Sequence, residues 1–428
     1  MTTRTELPGG GGPGIAPAEP PATAEPSTPA DPTTPSAESR ISPAPGTPSA
    51  RPTPAAPATD PTTPSAESRI SPGAPGEEEP ARGLRRALGN HRLLVLAVAA
   101  VLTIVVVAGS TAVGTSGVTV ADAMRVLWLR VAGGTIEPEF VQSYGIVADL
   151  RLPRALLALA AGAGLSVAGA VMQGLLRNPL VSPFTLGVSP AAAFGASLAI
   201  LLGGGGVASS NPVVIFSALV AAGLVTMLVL GLASARKMAV ATLLLLGIAV
   251  TQLFEALTAG LQYLANENTL QAIVRWTLGS VNDATWTEVQ VMGAVVVVLL
   301  PVLLWFAKDM NAIAFAGDDA ARSLGVNVTV VRVGLILVSV LLASVAVSLC
   351  GVIGFVGLVG PHIARLIIGA NHQYLLPMSA LSGGVLLVAA DTIGRTVVAP
   401  SVVPVGIVVA MLGAPVFIYL IMTRRAAK

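Results

Sequence analysis

From Leu93 to near the C-terminus the chain is a succession of long apolar runs, and nothing else in it constrains the fold as strongly. A helix that crosses a bilayer needs about 20 consecutive apolar residues. Runs of that kind lie near 93–112, 152–175, 184–203, 212–233, 239–264, 289–307, 330–349, 352–369, 375–395 and 403–422. They predict an all-α, polytopic membrane protein with ten transmembrane helices. Composition agrees over the whole length: 54% of residues are hydrophobic and 11% charged, and mean hydropathy is +0.79. A soluble domain carries roughly 25% charged residues, so a single buried helix does not account for the deficit. Glycine and alanine are abundant while aromatics make up 4%. Small residues let helices approach closely in lipid, where packing drives association.

Residues 1–85 belong to another class. They are rich in Pro, Ala, Thr and Ser, with few large apolar side chains, and are expected to be a disordered tail. The segment DPTTPSAESRISP runs from Asp31 to Pro43 and again from Asp60 to Pro72. Slippage duplication in a tolerated linker explains the repeat, and a docking or tethering role is the other reading. Residues 1–30 contain no apolar stretch of the signal-peptide kind. The transmembrane domain is then 86–428. Ten spans put both ends on one side, and Lys and Arg assign that side. Fourteen of them fall with the termini and six on the opposite face, which predicts cytoplasmic termini in a multi-pass cell-membrane protein.

The sequence excludes several chemistries. A net charge of +2 is too small to argue for nucleic acid. Cys350 is the only cysteine, so there is no internal disulfide and no cysteine-only metal cage. His91, His362 and His372 form no close ligand pair, and no G-x-S-x-G elbow occurs. Lys237, Lys308 and Lys428 are not followed by Ser or Thr, so the chain has no phosphate-binding P-loop of its own. No catalytic residue, metal or cofactor is expected, and energy must come from an ion gradient or a partner.

Charge inside the spans is sparse. Glu255 alone falls well within one, and Asp391 and Arg395 stand four apart near the outer end of the ninth, on one face. An ion-driven carrier normally shows more acids at the midplane. Arg151-Leu-Pro-Arg154 opens the second span at its outer end, where proline is tolerated because that N–H lacks a partner anyway. The stretch 308–332 is the longest polar inner loop. In it Asp318, Asp319 and Arg322 alternate with Ala320, Ala321 and Leu324 between Gly317 and Gly325, which predicts a short amphipathic helix. Such a helix lies on lipid or docks into a partner, and its mixed charge favours a protein partner.

Taken in order, RLPRALLALAAGAGLSVAGAVMQGLLRNPLVSPFTLGVSP (151–190), LLLLGIAV (243–250), WTLGSVNDATW (276–286), GDDAARSLGVNV (317–328), GVIGFVGLVGPHIAR (351–365), LLPMSAL (375–381), ADTIGR (390–395) and PVGIVVAMLGAPVFIYL (404–420) resemble the permease family of iron–siderophore and vitamin B12 ABC importers. The resemblance covers about residues 90–425. It implies ten helices per subunit, a second permease subunit (homo- or heterodimer), two cytoplasmic ATPase subunits and an extracytoplasmic substrate-binding protein. By motif, Arg151 and Arg395 resemble the outer arginines that dock that binding protein. Asp318, Asp319, Arg322 and Leu324 fall in the segment that resembles the ATPase coupling helix. Glu255 departs from the family's small or apolar residue in the fifth span, and it either faces the pathway or pairs with a neighbouring helix. WTLGSVNDATW is closer to the siderophore pattern, so an iron(III)–siderophore is the expected cargo. Haem and cobalamin are alternatives, and an ion-coupled secondary transporter is the reading from another class.

Overall fold

The computed structural model describes residues 78–114, 117–204, 211–235 and 240–425. Nearly all of the proline-rich tail and its repeat lie outside them. Fifteen helices follow one another: α1 (Glu78–Ala112), α2 (Val120–Ala132), α3 (Val141–Gly145), α4 (Leu152–Leu175), α5 (Val188–Leu202), α6 (Pro212–Ser234), α7 (Val240–Leu264), α8 (Glu267–Thr277), α9 (Trp286–Trp305), α10 (Ala307–Asn311), α11 (Asp318–Ser323), α12 (Val328–Cys350), α13 (Val356–Ile368), α14 (His372–Thr396) and α15 (Val405–Arg425). Among the described residues seven helices are long and apolar enough to cross a membrane, and α5, α13 and α15 are shorter apolar helices. Together they occupy the ten expected positions. The bundle end that carries α11 is termed inner and the opposite end outer, after the charge distribution.

Helix α4 is the axis of the bundle. All but four of its 24 residues are buried, and α14, α12, α13 and α9 pack around it. A spanning helix can be enclosed this completely only if its surface is shallow, and the run Ala161-Gly-Ala-Gly-Leu-Ser-Val-Ala-Gly-Ala170 is made almost entirely of small side chains. A Cβ at Gly169 would overlap the carbonyl of Gly357 in α13, and one at Gly162 the carbonyl of Gly383 in α14. Several hydroxyls in the spans bond locally, as Thr226 does by donating to the Ala222 carbonyl at 2.8 Å and Ser339 to the Leu335 carbonyl at 2.7 Å.

Two spans are short because the chain departs from the α-helix just ahead of them. At about 1.5 Å per residue, α13 covers only about 20 Å, and residues 351–355 ahead of it are irregular chain ending in a bend. Irregular backbone at membrane depth survives only where protein covers it. The Cys350 carbonyl accepts a hydrogen bond from the Ser280 N–H at 2.8 Å, and Gly351, at φ 72°, packs so closely on the Trp276 carbonyl that a Cβ there would overlap it. Phe355 then starts α13 from φ 62°, a left-handed value unusual for a residue with a Cβ. A matching break, Pro183–Leu186 followed by Gly187, precedes α5.

The apolar runs leave 113–151 without an assigned helix. The structure places α2 and α3 there, followed by a wide turn, Ile146–Arg151, that leads into α4. The cue in the sequence is Thr119-Val-Ala-Asp122, a reciprocal cap in which the Thr119 hydroxyl accepts from the Asp122 N–H and the Asp122 carboxylate accepts from the Thr119 N–H at 3.0 Å. Ala123, Val126, Phe140, Val147 and Ala148 bury one another beneath α2 as a small separate core.

Adding a leucine side chain at Gly169 forces backbone apart and is expected to cost upwards of about 1–3 kcal/mol. Gly223 on α6 has open space around it. Thermal melting of the purified chain in detergent should therefore drop sharply for Gly169→Leu and stay level for Gly223→Leu; equal effects at the two sites would refute the account of α4.

Candidate functional site

At the outer end three arginines converge on the C-terminus of α1 and on Asp391. The last carbonyls of a helix have no intrahelical partner. Arg151 donates from Nη1 to the Thr111 carbonyl at 2.8 Å and the Ala112 carbonyl at 3.3 Å. Arg395 donates to the Ser110 and Val113 carbonyls, each at 3.0 Å. Cations also suit the negative end of the helix dipole. Asp391 takes Arg154 on one carboxylate oxygen at 2.6 Å and Arg395 on the other at 3.1 Å, and its side chain is 2% exposed. The pairing of Asp391 with Arg395 is legible as an i,i+4 spacing. Arg154, 237 residues away in the chain, stands out in the sequence only as part of its motif. Both arginines expected at a docking surface, Arg151 and Arg395, are thus largely buried, with their guanidinium groups committed to α1 and Asp391.

At the inner end the predicted amphipathic helix is α11, bounded by Gly317 at φ 87° and Gly325 at φ 86°. Its residues divide by direction. Asp319 is fully open and pairs with Arg322 at 2.8 Å, and Leu324 is 71% exposed, a large apolar side chain offered to solvent. Asp318 turns the other way. It receives two parallel bonds from Arg332 of α12, at 2.8 and 3.0 Å, the strong bidentate geometry of a guanidinium on a carboxylate. Arg332 also donates from Nε to the Leu175 carbonyl at 3.3 Å, at the C-terminus of α4. The path from α11 through Asp318 and Arg332 to α4 is therefore continuous. The sequence marks Asp318 by its motif and places Arg332 only on the inner side. Behind α11, the Asn311 side-chain carbonyl of α10 accepts from the His372 N–H at 2.9 Å and lies 2.7 Å from its Nδ1, tying the segment to α14. The Arg332 hydrogen bonds hold the Asp318 carboxyl below its ordinary value of 3.8 against the opposing effect of burial.

Glu255 lies on the exposed face of α7, and no described neighbouring helix of this chain covers it. It lines a groove of about 660 Å³ with Thr251 and Gln252 on its own helix and Ser182, Thr185 and Phe355 opposite. Both breaks in the spanning helices, ahead of α5 and ahead of α13, thus border the groove. Among the described residues no group of three or more His, Cys, Asp or Glu side chains could hold a metal ion.

Two consequences follow for stability. Asp391→Ala would leave two buried cations without their anion, a loss of about 3–5 kcal/mol, and should strip folded protein from the membrane or lower its melting temperature steeply. The Asp318 bridge works on pH. A depressed carboxyl pKa gives stability that is present above the ordinary value and is lost as pH falls through the depressed one. The acid limb of a melting-versus-pH curve should therefore be shallower in Asp318→Asn than in wild type, and identical limbs would rule the bridge out.

Comparison with known proteins places this architecture. The FecCD transport family model matches residues 102–423. The chain is 41% identical over 279 residues to the cobalamin import system permease of Halobacterium salinarum, covering 65% of this chain and 74% of that one. It is 38% identical over 285 residues to the hemin transport system permease of Yersinia pestis, covering 65% and 84%. Among solved structures, a metal-chelate type ABC transporter in an inward-facing conformation matches with a TM-score of 0.67 and 30% identity, covering 77% of this chain and 99% of that one. With three quarters of its length matched in the order of its own helices, the chain belongs to the FecCD transport family, whose members are membrane permeases of ABC importers.

Proposed function

We propose that this chain is the membrane-spanning subunit of an ATP-driven importer that takes an iron(III)–siderophore from a binding protein and passes it into the cytoplasm. The observation that carries the reading is α11. This six-residue helix is anchored to α12 and α4 through Asp318, and Leu324, at its C-terminal end, is left 71% exposed. An exposed leucine on a rigidly held helix suits an apolar groove on a partner, and a chain without a P-loop needs a partner that hydrolyses ATP. Two cytoplasmic ATPase subunits, one for each of two permease subunits, meet that need with Asp319, Arg322 and Leu324 as the contact. Both termini then lie in the cytoplasm, on the side of the Lys and Arg excess.

At the outer end the binding protein docks on the rim organised by Arg151 and Arg395. Because both forks hold α1 and Asp391, their main contribution is the shape of the rim, and a carboxylate of the binding protein meets only their exposed edges. The siderophore assignment rests on WTLGSVNDATW. Haem and cobalamin, which name the two relatives above, are the competing cargoes.

Proteoliposomes holding this chain with its ATPase and binding protein test the reading. Leu324→Asp places a charge in an apolar contact. Chelate uptake should fall by about tenfold or more, equivalent to at least about 1.4 kcal/mol of lost coupling, at normal protein levels. Unchanged uptake in that variant, or uptake driven by a proton gradient with no ATPase present, overturns it. Uptake of haem or cobalamin in preference to every siderophore overturns the cargo alone.

A further inference from the structure

The carboxylate of Glu255 has no ordinary place in a membrane helix. It sits nine residues from the outer end of the 25-residue α7, about 13 Å along the axis and so within the hydrocarbon depth. An ionised side chain there is costly and must face water, a counter-ion or a bundle interior. The interior of its own chain does not take it, since α7 buries Leu243, Gly247, Val250 and Thr258 and leaves Glu255 on the exposed face. No counter-ion lies opposite: among the described residues the groove is lined by no Lys, Arg or His.

The surroundings of Glu255 mark a cargo site. Thr251 and Gln252 precede it by four and three residues, which places all three on one helical face. Across the groove, Ser182 and Thr185 come from the break before α5 and Phe355 from the break before α13. Transporter sites near the midplane are built where spanning helices are interrupted, because unwound backbone there is tolerated only beside a cavity or under protein. Gly247 seats α7 on one of those breaks, so close to the Thr185 carbonyl that a Cβ would overlap it. The groove therefore has a fixed wall, and Glu255 is the charge mounted on it.

We infer that Glu255 selects cargo by charge, favouring iron(III) chelates with a net positive charge over neutral ones and opposing anionic ones. This rests on the importer reading above and sharpens it, since siderophore complexes of similar bulk differ in net charge. A single carboxylate within several ångströms of a passing unit charge, in a partly desolvated groove, changes its free energy enough for roughly tenfold discrimination. The effect needs no shape recognition and acts on this chain's own wall of the pathway.

The experiment uses the assembled transporter in proteoliposomes and ATP-driven uptake of three chelates: a monocationic trihydroxamate, a neutral trihydroxamate and an anionic tricatecholate complex of iron(III). Wild type should prefer the cationic over the neutral chelate, and Glu255→Gln should reduce that ratio by roughly tenfold while Glu255→Asp preserves it. A second readout does not depend on the binding protein. Cys350 is buried, so Glu255→Cys introduces the one accessible thiol among the described residues. Membrane-impermeant methanethiosulfonates should modify it, whereas a cysteine at Val298, exposed on α9 in an apolar stretch, should resist. Unmodified Glu255→Cys, or a cation-to-neutral ratio that Glu255→Gln leaves intact, overturns the inference while leaving the importer reading standing. If wild type takes up no iron chelate at all, the importer reading of the cargo fails and the charge selection falls with it.

Discussion

Helix α4 passes through the middle of a bundle of ten apolar helices, and that is sterically feasible only because it presents Gly, Ala and Ser where other spans present Leu and Val. In lipid the hydrophobic effect does little to hold one helix against another, so close backbone approach has to supply the attraction. The contacts of Gly169 with Gly357 and Gly162 with Gly383 bring α13 and α14 to the limit of approach. The peripheral helices depend on this arrangement. α1 is buried along little of its length, packs against α14, and is held at one end by Arg151 and Arg395 and nearer the other by Arg92 over the Tyr374 ring at 5.3 Å.

The same α4 carries polar anchors at both ends. Its first turn contributes Arg154 to Asp391, and its last carbonyls receive Arg332, which holds Asp318 of α11. Charge is therefore concentrated where α4 meets the two faces, and the middle of the bundle is left to small apolar side chains. In the importer reading, α4 joins the surface that receives the binding protein to the surface that receives the ATPase. A displacement of α11 acts directly on the end of a closely packed helix, through two parallel hydrogen bonds.

Glu255 and the outer ion pair show how charge in a spanning helix takes different roles through its surroundings. Arg395 and Asp391 neutralise each other within one helix and also close the end of another. Glu255 has no cation across its groove among the described residues and is bordered by two breaks in spanning helices. Only the neighbours brought in by folding separate a buried ion pair from a carboxylate left on an exposed helix face.

The ten spans and the amphipathic α11 were legible in the sequence, because apolar run length and glycine boundaries are local properties. The pairing of Asp391 with Arg395 was legible for the same reason, being four residues apart on one helix. The α2 cap is carried by Thr119-Val-Ala-Asp122, a local pattern that apolar run length does not register. Tertiary structure alone decided that Arg151 and Arg395 turn inward to α1, that Arg154 shares Asp391, that Arg332 holds Asp318, and that the breaks before α5 and α13 meet at Glu255. Most of those partners lie tens to hundreds of residues apart in the chain. What selects them is which helix ends a closely packed α4 brings together, a property of three-dimensional packing that no local pattern of residues encodes.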